Sequence, residues 1–350
     1  MKIIIAIILF SIIILFHETG HFLAARACRV RVIEFSLGMG PRLLTHVSGR
    51  SGTRYSIKIL PFGGSCQMQG EDDEDTQEGS FGTKKVWQRI LIVAAGPLFN
   101  FLLAFIFAVV IIGSVGYDPP VIEYLSPEYP LEMAGVKVGD VLTSLDGEKI
   151  TVYRDISNYL SFHQRELARQ KPVTVTWRSG ETEKSAQIVP QLNESGTRYI
   201  FGLYGGSRYR AGSIGTVVKY SLYEVQFWIR TTIGSLRMIG QGEVTLDDVS
   251  GPVGVVEVVS NTVEETKSEG AFIVFLNLLN LGILLSANLG VMNLIPFPAL
   301  DGGRIFLLLL EAVRRKKLGE NIEGYINFAG FVILMGLMAV IMFNDIRKLF

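Results

Sequence analysis

Four long apolar runs set the rhythm of the chain, at residues 3–25, about 90–116, about 271–295 and within 328–343. A bilayer-spanning helix needs about 20 apolar residues, so each predicts a transmembrane helix. Between the first two runs the period changes. "VRVIEFSLG" and "TRYSIKILPFGG" read as strands joined through the Gly and Ser residues near 48–52. Such strands cannot lie bare in lipid with unpaired edge amides, but they can line a protein cavity. After the second run comes an α+β pattern. "GDVLTSLDGEKI" is a short strand with a turn at Asp146 and Gly147, "VYRDISNYLSFHQREL" places Val152, Ile156 and Leu160 on one helical face, and "PVTVTWRSG" alternates up to a turn at Gly180. Residues 215–240 mix apolar and basic positions, as a surface-lying or a packing helix would. The expected organisation is residues 1–116 with two spans and a β region, a module over 117–210, a membrane-proximal segment over 211–270, and two further spans over 271–350.

Composition agrees with a membrane protein that carries a substantial extramembrane part: 49% of the 350 residues are hydrophobic. The 33 basic and 33 acidic side chains cancel, and no basic tract is interleaved with aromatics, which argues against a nucleic-acid partner. Two cysteines, Cys28 and Cys66, are too few for a disulfide framework and are expected as free thiols. The positive charges lie mainly in two loops. Arg26, Arg29, Arg31, Arg42, Arg50, Arg54, Lys58, Lys84, Lys85 and Arg89 separate the first two spans, and Arg304, Arg314, Arg315, Lys316 and Lys317 separate the last two. Both loops are therefore expected in the cytoplasm, with both termini and the long segment 117–270 outside. The acidic run at 71–78 reads as a solvated linker.

Chemistry enters through "HETGH", residues 17–21, inside the first span. Positions i and i+4 share a helical face, so His17 and His21 can converge on one ion while Glu18 lies beside them to take a proton from water. Ionisable groups inside a span are expensive and are normally retained for function. A cleaved leader, the rival reading of this run, has no use for these three residues and is disfavoured by Arg26 at the supposed cleavage point. Counting about 1.5 Å per residue from Ile3, His17 sits about 21 Å along the span, nearer its cytoplasmic end. A catalytic zinc takes three protein ligands and an open position. The candidate for the third is Asp301 in "NLGVMNLIPFPALDGGRIF", residues 288–306, where Pro296 and Pro298 interrupt an apolar helix and allow an unwound stretch to present a carboxylate. Read alone, "ALDGG" is better taken as a cytoplasmic turn at a span's end.

With these two segments the sequence resembles the bacterial site-2 proteases, intramembrane zinc metalloproteases. The resemblance extends to Asn293, Pro296, Pro298, Leu300, Asp301 and Gly302; to Gly96, Pro97 and Asn100 in "AGPLFNF"; to "LPFGG" (60–64), similar to the family's membrane-associated β-hairpin; and to "SGPVG" (250–254). It implies a polytopic α-helical membrane protein with about four transmembrane helices, a membrane-associated β-hairpin region and an inserted extracytoplasmic α+β PDZ domain. It implies Zn2+ held by His17, His21 and Asp301, Glu18 as catalytic base, and Asn293 and Asn100 on substrate backbone or oxyanion. The single-PDZ branch implies a multi-pass protein of the bacterial cell membrane whose site opens toward the cytoplasm. Its partners would be membrane lipid and single-span substrates such as anti-sigma factors or signal-peptide remnants, already cut once by another protease. Ser65, Cys66 and Gln67 stand where the family usually has tyrosine, valine and lysine.

Overall fold

The computed structural model describes residues 2–71, 77–193, 195–244, 250–316 and 320–348. Most of the acidic run at 71–78, and Lys317, lie outside the described residues. Helix α1 (Lys2–Ala27) leads into strands β1 (Val32–Val47) and β2 (Arg54–Met68) and then helix α2 (Val86–Val115). A mixed segment follows: β3 (Ile122–Leu125), α3 (Pro130–Met133), β4 (Val141–Leu145), β5 (Glu148–Lys149), α4 (Arg154–Phe162), α5 (Gln164–Leu167), β6 (Val173–Ser179), β7 (Thr182–Ile188), β8 (Gln191–Leu192), β9 (Tyr199–Ile200) and β10 (Leu203–Gly205). Then come α6 (Ile214–Gly240), α7 (Pro252–Thr266), α8 (Ala271–Leu294), α9 (Asp301–Arg314) and α10 (Glu320–Lys348). By length and composition α1, α2, α8 and α10 can cross a membrane.

The chain divides into two compact units, Met1–Phe107 with Val244–Phe350, and Ala108–Glu243. In the first unit Ala6, Leu9 and Ile13 of α1 pack with Leu103 of α2, Val259 of α7 and Leu281 of α8. A second cluster joins Ala25, Cys28, Val32 and Cys66 to Ile92 and Leu308. Both ends of the unit's chain meet α7. Lys2 pairs with Glu264, and Asp345 of α10 accepts from the amides of Gly251 and Gly254 at 3.1 and 2.9 Å. Those amides open α7, where an acceptor is needed because a helix leaves its first four N–H groups unbonded.

Strands β1 and β2 pair twice. Residues 34–37 face 64–67 on one side and 54–57 on the other, and 54–57 also face 44–47. This double pairing leaves residues 64–68 at the edge of the ribbon, with no further strand against them among the described residues. The far half of the ribbon exposes Met39, Leu43, Leu44, Ile57, Ile59 and Leu60.

The second unit is built on an antiparallel sheet of order β5-β4-β6-β7 with a β10-β3 pair. Inward-facing Leu142, Leu145, Val175 and Trp177 close on Leu131, Leu167 and Phe201. Residues 214–240 form helix α6, which packs against α4 with Phe162 lying over Gly234.

Candidate metal centre

Helix α1 buries both histidines of HETGH, each 8% exposed. Asp301 reaches them from the far end of the chain. Helix α8 stops at Leu294, the two prolines that follow cannot donate to a helical ladder, and the backbone restarts as α9 with Asp301 as its first residue. His17 Nε2 lies 3.2 Å and His21 Nε2 3.5 Å from Asp301 Oδ2. The two Nε2 atoms are 3.2 Å apart, and one ligand atom from each of the three residues falls within 4.8 Å of the others.

The outer nitrogens of the rings are tied back to α2. His21 Nδ1 donates to the backbone oxygen of Ile92 at 2.9 Å, which leaves Nε2 as a lone pair aimed into the cluster. The side-chain amide of Asn100, wholly buried, lies 3.1 Å from His17 Nδ1. Asn100 Oδ1 has no other partner, and turning the amide so that Oδ1 accepts the His17 Nδ1 proton satisfies both groups. Helix α2 approaches this closely because residue 96 is glycine. A Cβ there would run into both imidazole rings.

Such an arrangement gathers acceptors without a donor. Asp301 Oδ2 is buried and lacks a hydrogen-bond partner, an expense that a bound cation offsets. Two imidazoles and one carboxylate with an open side form a donor set suited to catalytic zinc.

Glu18 lines the same cavity, of about 430 Å³, together with residues 64–68 of β2, Glu71 and Arg304. The strand runs directly over the glutamate, since a Cβ on Gly64 would lie 2.9 Å from Glu18 Cγ. Cys66 also lines it, but burial first and then the Glu18 and Glu71 carboxylates push its thiol pKa upward, so it stays protonated. Cys28 is likewise a buried free thiol.

The remaining sequence expectations fare differently. Asn100 stands against His17 Nδ1 and is not among the residues that line the cavity. Asn293, in the last turn of α8, is half-buried and does not line the cavity. Sequence reasoning missed Glu71 and Arg304, whose meeting across 233 residues leaves no local signal.

Four helices able to span a bilayer, with the HETGH histidines of the first meeting the aspartate that opens α9, define the class of membrane metalloproteases. Comparison with known proteins narrows this. The chain matches peptidase family M50 over residues 5–337 and belongs to that family, the site-2 proteases. A relative from Clostridium acetobutylicum named as a zinc metalloprotease is 34% identical over 345 residues, covering 99% of this chain and 97% of its own. The regulator of sigma-W protease RasP of Bacillus subtilis is 26% identical over 427 residues, covering 98% of each chain. Among solved structures, the PDZ domain of an SdrC-like protein from Listeria monocytogenes is 19% identical, covers 26% of this chain and 92% of that one, and gives a TM-score of 0.22. The protein is thus a zinc-dependent metalloendopeptidase of the site-2 type.

Proposed function

We propose that this protease hydrolyses a peptide bond inside a membrane-spanning segment of a substrate already shortened by another protease, an anti-sigma factor or a signal-peptide remnant. The observation that carries this reading is the meeting of His17, His21 and Asp301 with Glu18 in one cavity roofed by a strand edge. His17, His21 and Asp301 hold the metal. Zinc, when bound there, supplies a Lewis acid that polarises the scissile carbonyl and eases deprotonation of water. The Glu18 carboxylate takes the proton from the attacking water and returns it to the leaving amide nitrogen. Residues 64–67 pair with the unwound substrate and hold it extended, because a peptide bond in a helix is shielded by its own backbone hydrogen bonds.

The relative's name as a regulator of sigma-W supports an anti-sigma substrate. Orientation rests on charge. Loops rich in Lys and Arg face the cytoplasm, which puts both termini on the opposite side, together with a PDZ-type module at 117–210. The exposed apolar half of the β1–β2 ribbon suits contact with lipid.

Metal analysis of purified variants tests the assignment. His17→Ala, His21→Ala and Asp301→Ala should lose zinc and activity together, whereas Glu18→Gln should keep full zinc and lose about 10²–10⁴-fold in rate. Full zinc occupancy in Asp301→Ala would remove that residue from the site.

A further inference from the structure

Glu71 closes one end of the strand edge. Its Oε2 accepts from the backbone N–H of Met68 at 3.1 Å, and Met68 is the last residue of β2. Along a strand the N–H groups alternate between the two sides. The amide that meets Glu71 points away from β1, so Cys66 and Gly64 direct theirs to the same open edge. A substrate segment adding to this edge finds Gly64 and Cys66 available and Met68 already bonded. Glu71 is itself anchored. Its other carboxylate oxygen pairs with Arg304 Nη1, and Arg304 Nη2 lies 3.5 Å from the Glu71 backbone oxygen. Arg304 stands one turn after Asp301 on α9, and both side chains of the pair are largely buried, at 14% and 23% exposure. A charge-assisted pair in such a place holds its geometry better than a surface one.

We infer that Glu71 is a register stop: it ends the substrate-pairing edge at Cys66, and the Arg304 pair fixes that stop relative to Asp301, so that one particular peptide bond is presented to the metal centre. Glu71 and Arg304 are positioning residues. The inference rests on the strand-edge reading of substrate binding proposed above. Its consequence is specific, because slippage of a paired strand that keeps the same faces inward occurs in steps of two residues. Glu71→Ala frees the Met68 amide and releases the tether, so a second cut displaced by two residues should appear beside the original one. Glu71→Gln keeps one acceptor oxygen for Met68 but gives up the ion pair with Arg304, so the displaced cut should appear there as a minor product beside the original one. Glu71→Asp keeps the charge beside Arg304 while shortening the reach to Met68 by one methylene, and should give the second cut with the fold intact.

The test reconstitutes the zinc-loaded full-length protein with a single-span substrate and locates the cleaved bond by mass spectrometry. Zinc content serves as the check on the site. A parallel scan replaces successive substrate amides by esters, which removes one N–H at a time. Appearance of the displaced cut in Glu71→Ala and Glu71→Asp, and as a minor product in Glu71→Gln, is the expected result. An unchanged cut in all three, with ester positions that slow cleavage, overturns the stop and leaves strand pairing standing. A scan with no sensitive position overturns strand pairing and the stop with it.

Discussion

Two buried charge clusters, one in each unit, are assembled from residues far apart in sequence, and they differ in whether they are complete. In the second unit Arg154 sits between two carboxylates. Its Nε reaches Asp118 at 2.9 Å, its Nη1 and Nη2 reach Glu224 at 3.1 and 2.5 Å, and its guanidinium lies over the Phe227 ring at 4.7 Å. Trp228 Nε1 adds a further donor to Glu224 at 2.9 Å. Donors and acceptors match, so the cluster holds α4, α6 and the start of the module together and asks for nothing from outside. The cluster of His17, His21 and Asp301 consists of acceptors facing one another. Burial alone does not mark a site; a buried polar set whose sum of donors fails to close does.

That contrast can be broken at either end. The largest expected effect is in the closed cluster. Arg154→Ala leaves Asp118 and Glu224 facing each other without a cation, at a cost of about 3–5 kcal/mol. Hydrogen exchange on the full chain in detergent should show protection lost over residues 118–240 and retained in α1; unchanged protection in the second unit would show that the triad holds nothing. At the open cluster the supports matter. Asn100→Ala removes the partner of His17 Nδ1 and should weaken zinc affinity by about 10–100-fold, measured by competition with a chelator. An affinity equal to that of the unaltered protein would disconnect Asn100 from the ring.

The smallest effect is pH-dependent and lies in the β1–β2 ribbon. The bidentate Arg42 pair, with help from Ser56, holds the Glu34 carboxyl down from an ordinary 4.5 to about 2. A carboxyl whose folded value is depressed stabilises the fold above its unfolded value and loses that contribution as pH falls through the folded one. The ribbon should therefore loosen between about pH 4.5 and 2, seen as faster proteolysis near residues 48–53, and Glu34→Gln should flatten the dependence.

How much of this was legible beforehand follows from the range of each signal. HETGH is readable because two ligands and a base one turn apart need only helical periodicity. Asp301 is readable because prolines announce a broken helix and HETGH supplies two ligands that need a third, although the segment alone reads better as a turn. Three of the long apolar helices were readable to within about four residues, and residues 215–240 as a helix, whereas the fourth, read within 328–343, extends over Glu320–Lys348 because its polar flanks carry no apolar signal. The double pairing of β1 and β2 was not, since both strands read as short independent stretches and their register depends on which segment fills each side. Helix α7 lies inside the segment read only as membrane-proximal, its start fixed by Asp345 from another helix. Asn100 was readable as a polar residue in a span but not as a partner of His17, because the face of α2 turned toward α1 is set by Gly96 and packing.

The bond from Asp345 to the leading turn of α7 also has a meaning in time. The acceptor lies 94 residues after Gly251, and synthesis at about 5–20 residues per second delivers it roughly 5–20 s later. Through that interval the amides of Gly251 and Gly254 lack this acceptor, and only the arrival of α10 supplies the carboxylate. Docking of the last helix is thereby also the step that finishes a helix made much earlier, so the order of assembly differs from the order of translation.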